Sequence, residues 1–384
     1  MHNAHRPLAM VLLVGIAGSI VPAAVMAETT HESIETQLLT LRLERVAEGL
    51  EHPWAVTQLP DARFLITERS GRLALIEEDG GTVYLDGVPD VSSRGQGGLL
   101  DIILHPRYGD GDAEHDWLYF TWSRPDDDGQ SATALGRARL GDSRLTDVET
   151  LFVQNRASDP GRHYGSRLAW LPDETLLMSI GDRGTPPRAQ DRQDHAGSIL
   201  RLTPTGGVPE DNPFVDDPET LNEVFTFGNR NAQGLIVTAE GEAWATEHGP
   251  LGGDELNLLL GGENYGWPEV SLGVTYDTRQ PVGEDSLPGM RDPVHVFADR
   301  FAPSGLVEVT SGAYAAWQGD LLAGGLRSEQ LHRLTLEGEE VIGSETILEG
   351  QIGRIRDIHQ GADGLLYLLV DDASGSLYRL QPPS

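Results

Sequence analysis

The sequence contains no cysteine and no lysine. Without cysteine there is no disulfide scaffold, no thiol nucleophile and no thiolate metal site. A chain of 384 residues can bury a large core without covalent staples, so that absence is structurally neutral. The missing lysine makes all 28 basic residues arginine, set against 60 Asp and Glu, for a formal charge of -32. Nucleic acid and anionic membranes both require a basic face, so this balance argues against them as partners. An acidic surface favours solubility, and with the missing lysine it leads us to expect tolerance of salt.

Long apolar runs are also scarce. One lies at the N-terminus, from Leu8 to Ile20, after His2, His5 and Arg6 and before Val25-Met26-Ala27. It is short for a spanning helix and ends in the small residue that a signal peptidase favours. Residues 1–27 therefore read as a cleaved export signal, with an uncleaved anchor as the alternative, and the mature chain is expected in the periplasm or outside the cell. No later segment has the apolar length of a membrane span, so no membrane insertion is expected.

What the chain does have is an internal repeat. Stretches from Asp61 to Ile76, Trp117 to Leu140, Asp173 to Leu202, Gly241 to Leu260, Gly319 to Leu334 and Asp363 to Leu380 share one outline. A polar turn leads into a short β-rich run, then a second turn, then often a strand carrying Arg. The uneven spacing rules out a tight solenoid and suits blades joined by loops of varied length. With 46 Gly and 23 Pro punctuating short strands, the expected class is all-β, a six-bladed propeller, with seven blades as the alternative. After a lead-in over 28–40, residues 41–384 read as one domain. Insertions are expected at 124–130, 185–195, 204–218 and 273–291, the last three around the candidate site.

Three groups of residues have chemical potential. His163 in GRHYGSRLAW precedes a strand that ends in Gly181-Asp182-Arg183-Gly184. A carboxylate meeting that imidazole across a funnel mouth would orient it as a general base, although most histidines are ordinary surface groups. Arg354 and Arg356 alternate in GRIRDIH, so a strand would point both to one face as a clamp for carboxylates. Surface salt bridges would explain that pair equally well. Arg230-Asn231 in FGNRNAQGL adds another cation. Finally, Gly249 and Pro250 would expose carbonyls in a tight loop beside Asp254 and Glu255, an oxygen-only set suited to calcium rather than zinc. A polar blade turn is the plainer account of that loop.

At these residues the chain resembles the soluble pyrroloquinoline-quinone (PQQ) dependent aldose and glucose dehydrogenases, the glucose/sorbosone dehydrogenase family. The similarity runs from about His52 to Leu380. It rests on GQGGLL at 95–100, HYGSRL at 163–168, GDRG at 181–184, GNRNAQG at 228–234, EHGPLGGDE at 247–255, NYGWP at 264–268, APSG at 302–305 and GRIRD at 353–357. The resemblance implies His163 as catalytic base with Asp182 as its partner. It implies PQQ contacts at Gln96, Arg230, Asn231, Tyr276, Arg327, Arg354 and Arg356. It also implies a calcium ion on the Gly249 and Pro250 carbonyls, and a second, structural one at Glu255 and the Tyr265 carbonyl. An aldose would be oxidised to a lactone, and a separate external electron acceptor would reoxidise the cofactor. One departure is Arg327, where the family often has Lys; the guanidinium is planar and bulkier. Two rival readings are a calcium-dependent propeller lactonase, which would need no arginine clamp, and a non-catalytic propeller binding glycans or proteins.

Overall fold

The computed structural model describes Met1 and residues 28–383. Apart from Met1, the expected export signal over 1–27 lies outside the described residues. Each of the six repeated stretches contains an antiparallel strand pair. In the first, Phe64–Glu68 turns at Gly71 (φ +96°) into Leu73–Ile76, with Phe64 opposite Ile76. The strands Phe64–Glu68, Leu176–Ile180, Ala243–Glu247, Leu321–Gly325 and Leu366–Val370 are buried along their whole length. Both of their faces are covered by protein, which is why they read as mostly apolar runs rather than as alternating ones, with buried polar residues only toward their ends.

An inner and an outer strand complete each sheet. The four-stranded sheets cover 53–85, 99–153, 168–227, 232–296 and 303–347, and a five-stranded one joins 355–381 to 28–50. The expected six blades are therefore present. Six hydrophobic clusters fill the interfaces between consecutive blades; Leu65 and Leu75 of blade one, for example, pack with Leu118 and Phe120 of blade two. Thr40–Leu50 pairs with the C-terminal strand Gly375–Gln381, so the two ends of the chain share one blade and close the ring.

The reading of 28–40 as a lead-in needs correction. Glu28–Glu35 is a fifth strand on the closing blade, with Ile34 buried opposite Leu41. Edge pairing, not an apolar pattern, makes it a strand. Nor is 124–130 an insertion. Strands Leu118–Pro125 and Ser131–Leu140 extend around a short turn in which the Asp126 carboxylate accepts the Asp128 and Gln130 amides.

The innermost strands, Pro53–Gln58, Leu99–Leu104, Leu168–Trp170, Ala232–Val237, Pro303–Glu308 and Ile355–Gln360, surround the axis. Arg167 crosses it. Its guanidinium meets Asp101 at 3.3 Å and Asp357 at 2.9 Å. It also donates to the carbonyls of Gln233 and Arg356, at 2.7 and 3.0 Å, and lies 4.2 Å over the Trp54 ring. Ser304 donates to the same Arg356 carbonyl at 2.6 Å. One buried cation thus ties its own blade to four others, and the Arg356 carbonyl it shares with Ser304 links in the remaining one. Among the described residues, no helix is long and apolar enough to cross a membrane.

Candidate active site

His163 occupies a backbone conformation unusual for a side-chain-bearing residue, at φ +52°, and Ser166 follows at +87°. Several hydrogen bonds pin this turn. The His163 amide donates to Gln96 Oε1 at 2.7 Å, the Gly165 amide to Asn231 Oδ1 at 3.1 Å, and the Ser166 amide to the Ser179 carbonyl at 2.7 Å. A Cβ on Gly181 would collide with the His163 carbonyl, so the HYG and GDRG segments interlock only because position 181 is glycine. Strained residues held by many partners are characteristic of functional sites.

The expected His163–Asp182 pair is formed. His163 Nδ1 lies 2.6 Å from Asp182 Oδ1, which also accepts the Gly184 amide. Asp182 Oδ2 accepts the indole N–H of Trp267 at 2.8 Å. A carboxylate on Nδ1 fixes the proton there and leaves the Nε2 lone pair as the acceptor. Burial pushes the His163 pKa below its ordinary 6.5; the Asp182 hydrogen bond opposes this, while the charges of Arg230 and Arg162 reinforce it. Burial alone would raise Asp182, but its hydrogen bond to His163 and the charges of His163 and Arg230 bring it below 3.8. At neutral pH the pair is a neutral imidazole held by an ionised carboxylate.

Beside this pair a cavity of about 190 Å³ is lined by Gln96, Asn231, Arg327, Arg354 and Arg356, together with His248 and Gln233. Residues separated by up to 260 positions therefore meet at one place. Arg354 and Arg356 do act as a pair, sharing Asp371 at 3.2 and 2.9 Å. Burial brings Arg356 down to about 10 against the opposing charge of Asp371, which leaves it cationic at neutral pH. The buried Nε atoms of Arg69, Arg230 and Arg356 have no hydrogen-bond partner, and Arg69 and Arg356 line the cavity. Guanidinium donors left unsatisfied around an enclosed space suit a ligand with several carboxylates. PQQ fits that donor set.

Arg230 and Tyr276 stand slightly apart from this group. Arg230 donates to the His248 carbonyl at 3.0 Å, and its guanidinium lies 5.2 Å from the Trp267 ring centre. Tyr276 is exposed in an adjoining groove of about 370 Å³, and its hydroxyl donates to the Pro250 carbonyl. The groove and the cavity share His248, Ala302 and Arg327. Of the three insertions expected around the site, 273–291 supplies Tyr276. Residues 185–195 support Trp267 through Gln190, which donates to its carbonyl at 2.8 Å. The 204–218 segment instead packs outside, where the Pro204 carbonyl accepts the Tyr119 hydroxyl and Asp211 pairs with Arg201.

Among the described residues, no cluster of three or more His, Cys, Asp and Glu is arranged to hold a metal. A cation at Gly249 and Pro250 would have to use backbone carbonyls, a hard-oxygen set compatible with calcium. Asp254 shapes that loop by accepting the Gly249 and Ala302 amides at 2.9 and 2.8 Å. Glu255 stands directly opposite Glu247 across two paired strands. Burial first, and then the Glu247 charge, push Glu255 up to about 8. The Tyr265 hydroxyl donates to the Leu258 carbonyl at 2.6 Å. A buried and a half-buried carboxylate face to face are costly unless a cation or a proton intervenes, so this position also fits calcium.

Sequence reasoning gave no role to Arg167, Gln233, His248 or Trp267. All four lie inside motifs quoted for the family, but only the folded ring shows what they touch. His248 Nε2 donates to the Pro303 carbonyl at 2.6 Å, and burial, followed by the charge of Arg230, lowers its pKa to about 3.

A ring of six blades with a cationic cavity beside a carboxylate-bound imidazole defines a cofactor-binding enzyme class, and the comparisons make it specific. Residues 50–379 match the glucose / sorbosone dehydrogenase family, and the chain belongs to that family and is an oxidoreductase. It is 37% identical over 350 residues to aldose sugar dehydrogenase YliI of Escherichia coli K12, covering 89% of this chain and 93% of the relative. The crystal structure of the soluble aldose sugar dehydrogenase from Escherichia coli, in the apo form, superposes with a TM-score of 0.85 at 36% identity, over 89% of this chain and 100% of the other. The PQQ-bound aldose sugar dehydrogenase from Streptomyces coelicolor gives 0.74 at 29% identity, over 88% and 96%.

Proposed function

We propose that this protein oxidises aldose sugars at the anomeric carbon, using PQQ held in the arginine-lined cavity, with His163 as the general base. The observation that carries this reading is the convergence of Gln96, Asn231, Arg327, Arg354 and Arg356 on one cavity whose wall is tied to His163 through Gln96. The relatives named above, one of them PQQ-bound, support the same cofactor and a sugar substrate.

Arg354 and Arg356 would take the carboxylates of PQQ, with Arg327 beside them; Gln96 and Asn231 would hydrogen-bond its edge, and Arg230 and Tyr276 would close the site. The Gly249 and Pro250 carbonyls would hold calcium against it. When bound, PQQ supplies an ortho-quinone that accepts the hydride, with calcium as its Lewis acid.

The protein's own contribution is positional and acid–base. His163 Nε2 removes the proton from the C1 hydroxyl as the C1 hydrogen departs with its electron pair, and the sugar becomes a lactone. Asp182 keeps Nδ1 protonated and stabilises the imidazolium that forms. Glu255, with the Tyr265 carbonyl, would hold a second, structural calcium. Residues 1–27 would direct export, and a separate acceptor would remove the electrons.

The test is reconstitution with PQQ and calcium, followed by aldose-dependent reduction of an electron-accepting dye. Hydrolysis of a lactone without quinone absorbance would replace this reading with the lactonase.

A further inference from the structure

The charge balance makes an unpaired arginine informative. Even exposed arginines are usually paired in this acidic chain, as with Arg72 to Glu51 and Glu68, Arg94 to Asp159, Arg107 to Glu174 and Arg156 to Asp191. Among the described residues, only the side chains of Arg124, Arg144, Arg279, Arg300 and Arg327 make no hydrogen bond, ion pair or ring contact. Three of these line a single passage. Arg327 borders the cofactor cavity, the adjoining 370 Å³ groove and an outer cavity of about 840 Å³. Arg279 and Arg300 border both the groove and the outer cavity.

The acids in this passage do not neutralise those arginines in place. Asp254 has both of its oxygens committed to the Gly249 and Ala302 amides. Asp299 and Glu349 line the outer cavity but form no ion pair with any of the three. The groove itself therefore carries a cationic surplus on a protein of formal charge -32. Leaving arginines unpaired beside so many carboxylates is difficult to explain as surface solubility alone. Their planar forks suit a carboxylate arriving from outside, and the groove falls within the roughly 300–1,000 Å³ range of small-ligand sites.

We infer that Arg279 and Arg300 form an outer subsite for an anionic sugar unit, so that the preferred substrate is an acidic oligosaccharide oxidised at its reducing end. The reducing aldose would sit at the His163 site, while a carboxylate-bearing unit further along the chain would lie where the groove opens into the outer cavity, beyond Gly249, Pro250 and Tyr276. This inference rests on the dehydrogenase reading and adds the substrate class to it. Arg327 adjoins the cofactor cavity, so the outer subsite is assigned to the other two alone.

The test compares kcat/KM for a neutral reducing disaccharide with that for the same disaccharide carrying a uronic acid at its non-reducing unit. The wild type and the variants Arg279→Gln and Arg300→Gln would be assayed with PQQ and calcium. Because neither arginine has a partner to lose, the substitutions should leave folding intact. We expect the wild type to prefer the acidic sugar by about tenfold or more, equivalent to one charge-assisted contact. Each variant should lower that preference, chiefly through KM, and added salt should lower it in the wild type. Equal kcat/KM for the two sugars in the wild type would overturn the subsite. So would an unchanged ratio in both variants accompanied by a raised KM for an anionic electron acceptor, which would reassign the groove to acceptor docking. No oxidation of either sugar would instead remove the dehydrogenase reading, and this inference with it.

Discussion

Trp267 donates its indole N–H to Asp182 at 2.8 Å, so the carboxylate that orients His163 is itself held from the far side. Trp267→Phe keeps a ring near Arg230 but removes that donor. A hydrogen bond to a charged group contributes about 1.5–3 kcal/mol, so we expect kcat to fall roughly tenfold or more, with PQQ affinity retained. Freed of its donor, Asp182 becomes more basic and stabilises the imidazolium better, and the acid limb of the pH profile should shift upward. In the wild type that limb should lie below pH 6.5, because burial depresses His163 and only the neutral imidazole can accept a proton. The check is kcat/KM against pH for both proteins.

Glu247 and Glu255 lead to a prediction about metal. Removing calcium with a chelator should lower the unfolding temperature and weaken PQQ binding, and calcium should restore both. Glu255→Gln separates the two positions. It removes one of the facing carboxylates, so the metal-free variant should be more stable than the metal-free wild type, and calcium should stabilise it less. Thermal unfolding with and without calcium reads this directly.

Among the described residues, Arg167 is the only cation paired with Asp101 and Asp357 at the axis. Arg167→Met would leave two buried carboxylates uncompensated and release the carbonyls of Gln233 and Arg356. Breaking a buried ion pair from one side costs about 3–5 kcal/mol. Denaturant unfolding should show a loss of that order, and a loss below about 1 kcal/mol would contradict the role assigned here.

The elements most legible in the sequence are the buried strand pairs at the middle of each blade, such as Phe64–Glu68 with Leu73–Ile76. Packed on both faces, they are mostly apolar, with a few hydrogen-bonded polar residues such as Thr67 at their ends, and polar turns separate them. The edge strands left weaker signals. Thr82–Leu85 and Leu145–Val153 are mostly exposed, and Glu28–Glu35 becomes a strand only because Thr40–Leu50 offers it an edge. At the site, His163 and Asp182 stood out through the HYGSRL and GDRG motifs shared with the family, because a histidine before a strand and an aspartate at the next turn are weak signals alone. Arg167, Gln233 and His248 did not. Their roles arise from contacts between blades, and nothing in their local spacing encodes those contacts. The same holds for Arg279 and Arg300, whose significance is that they lack partners, a property only the folded chain reveals.

In the proposed reaction one imidazole beside the cationic cavity performs the proton transfer while other residues hold the cofactor. His163→Gln, reconstituted with PQQ and calcium, tests it most directly. We expect normal PQQ absorbance and binding together with loss of dye-linked aldose oxidation by at least about two orders of magnitude, the lower range for general-base catalysis. Near-normal turnover in that variant would contradict it.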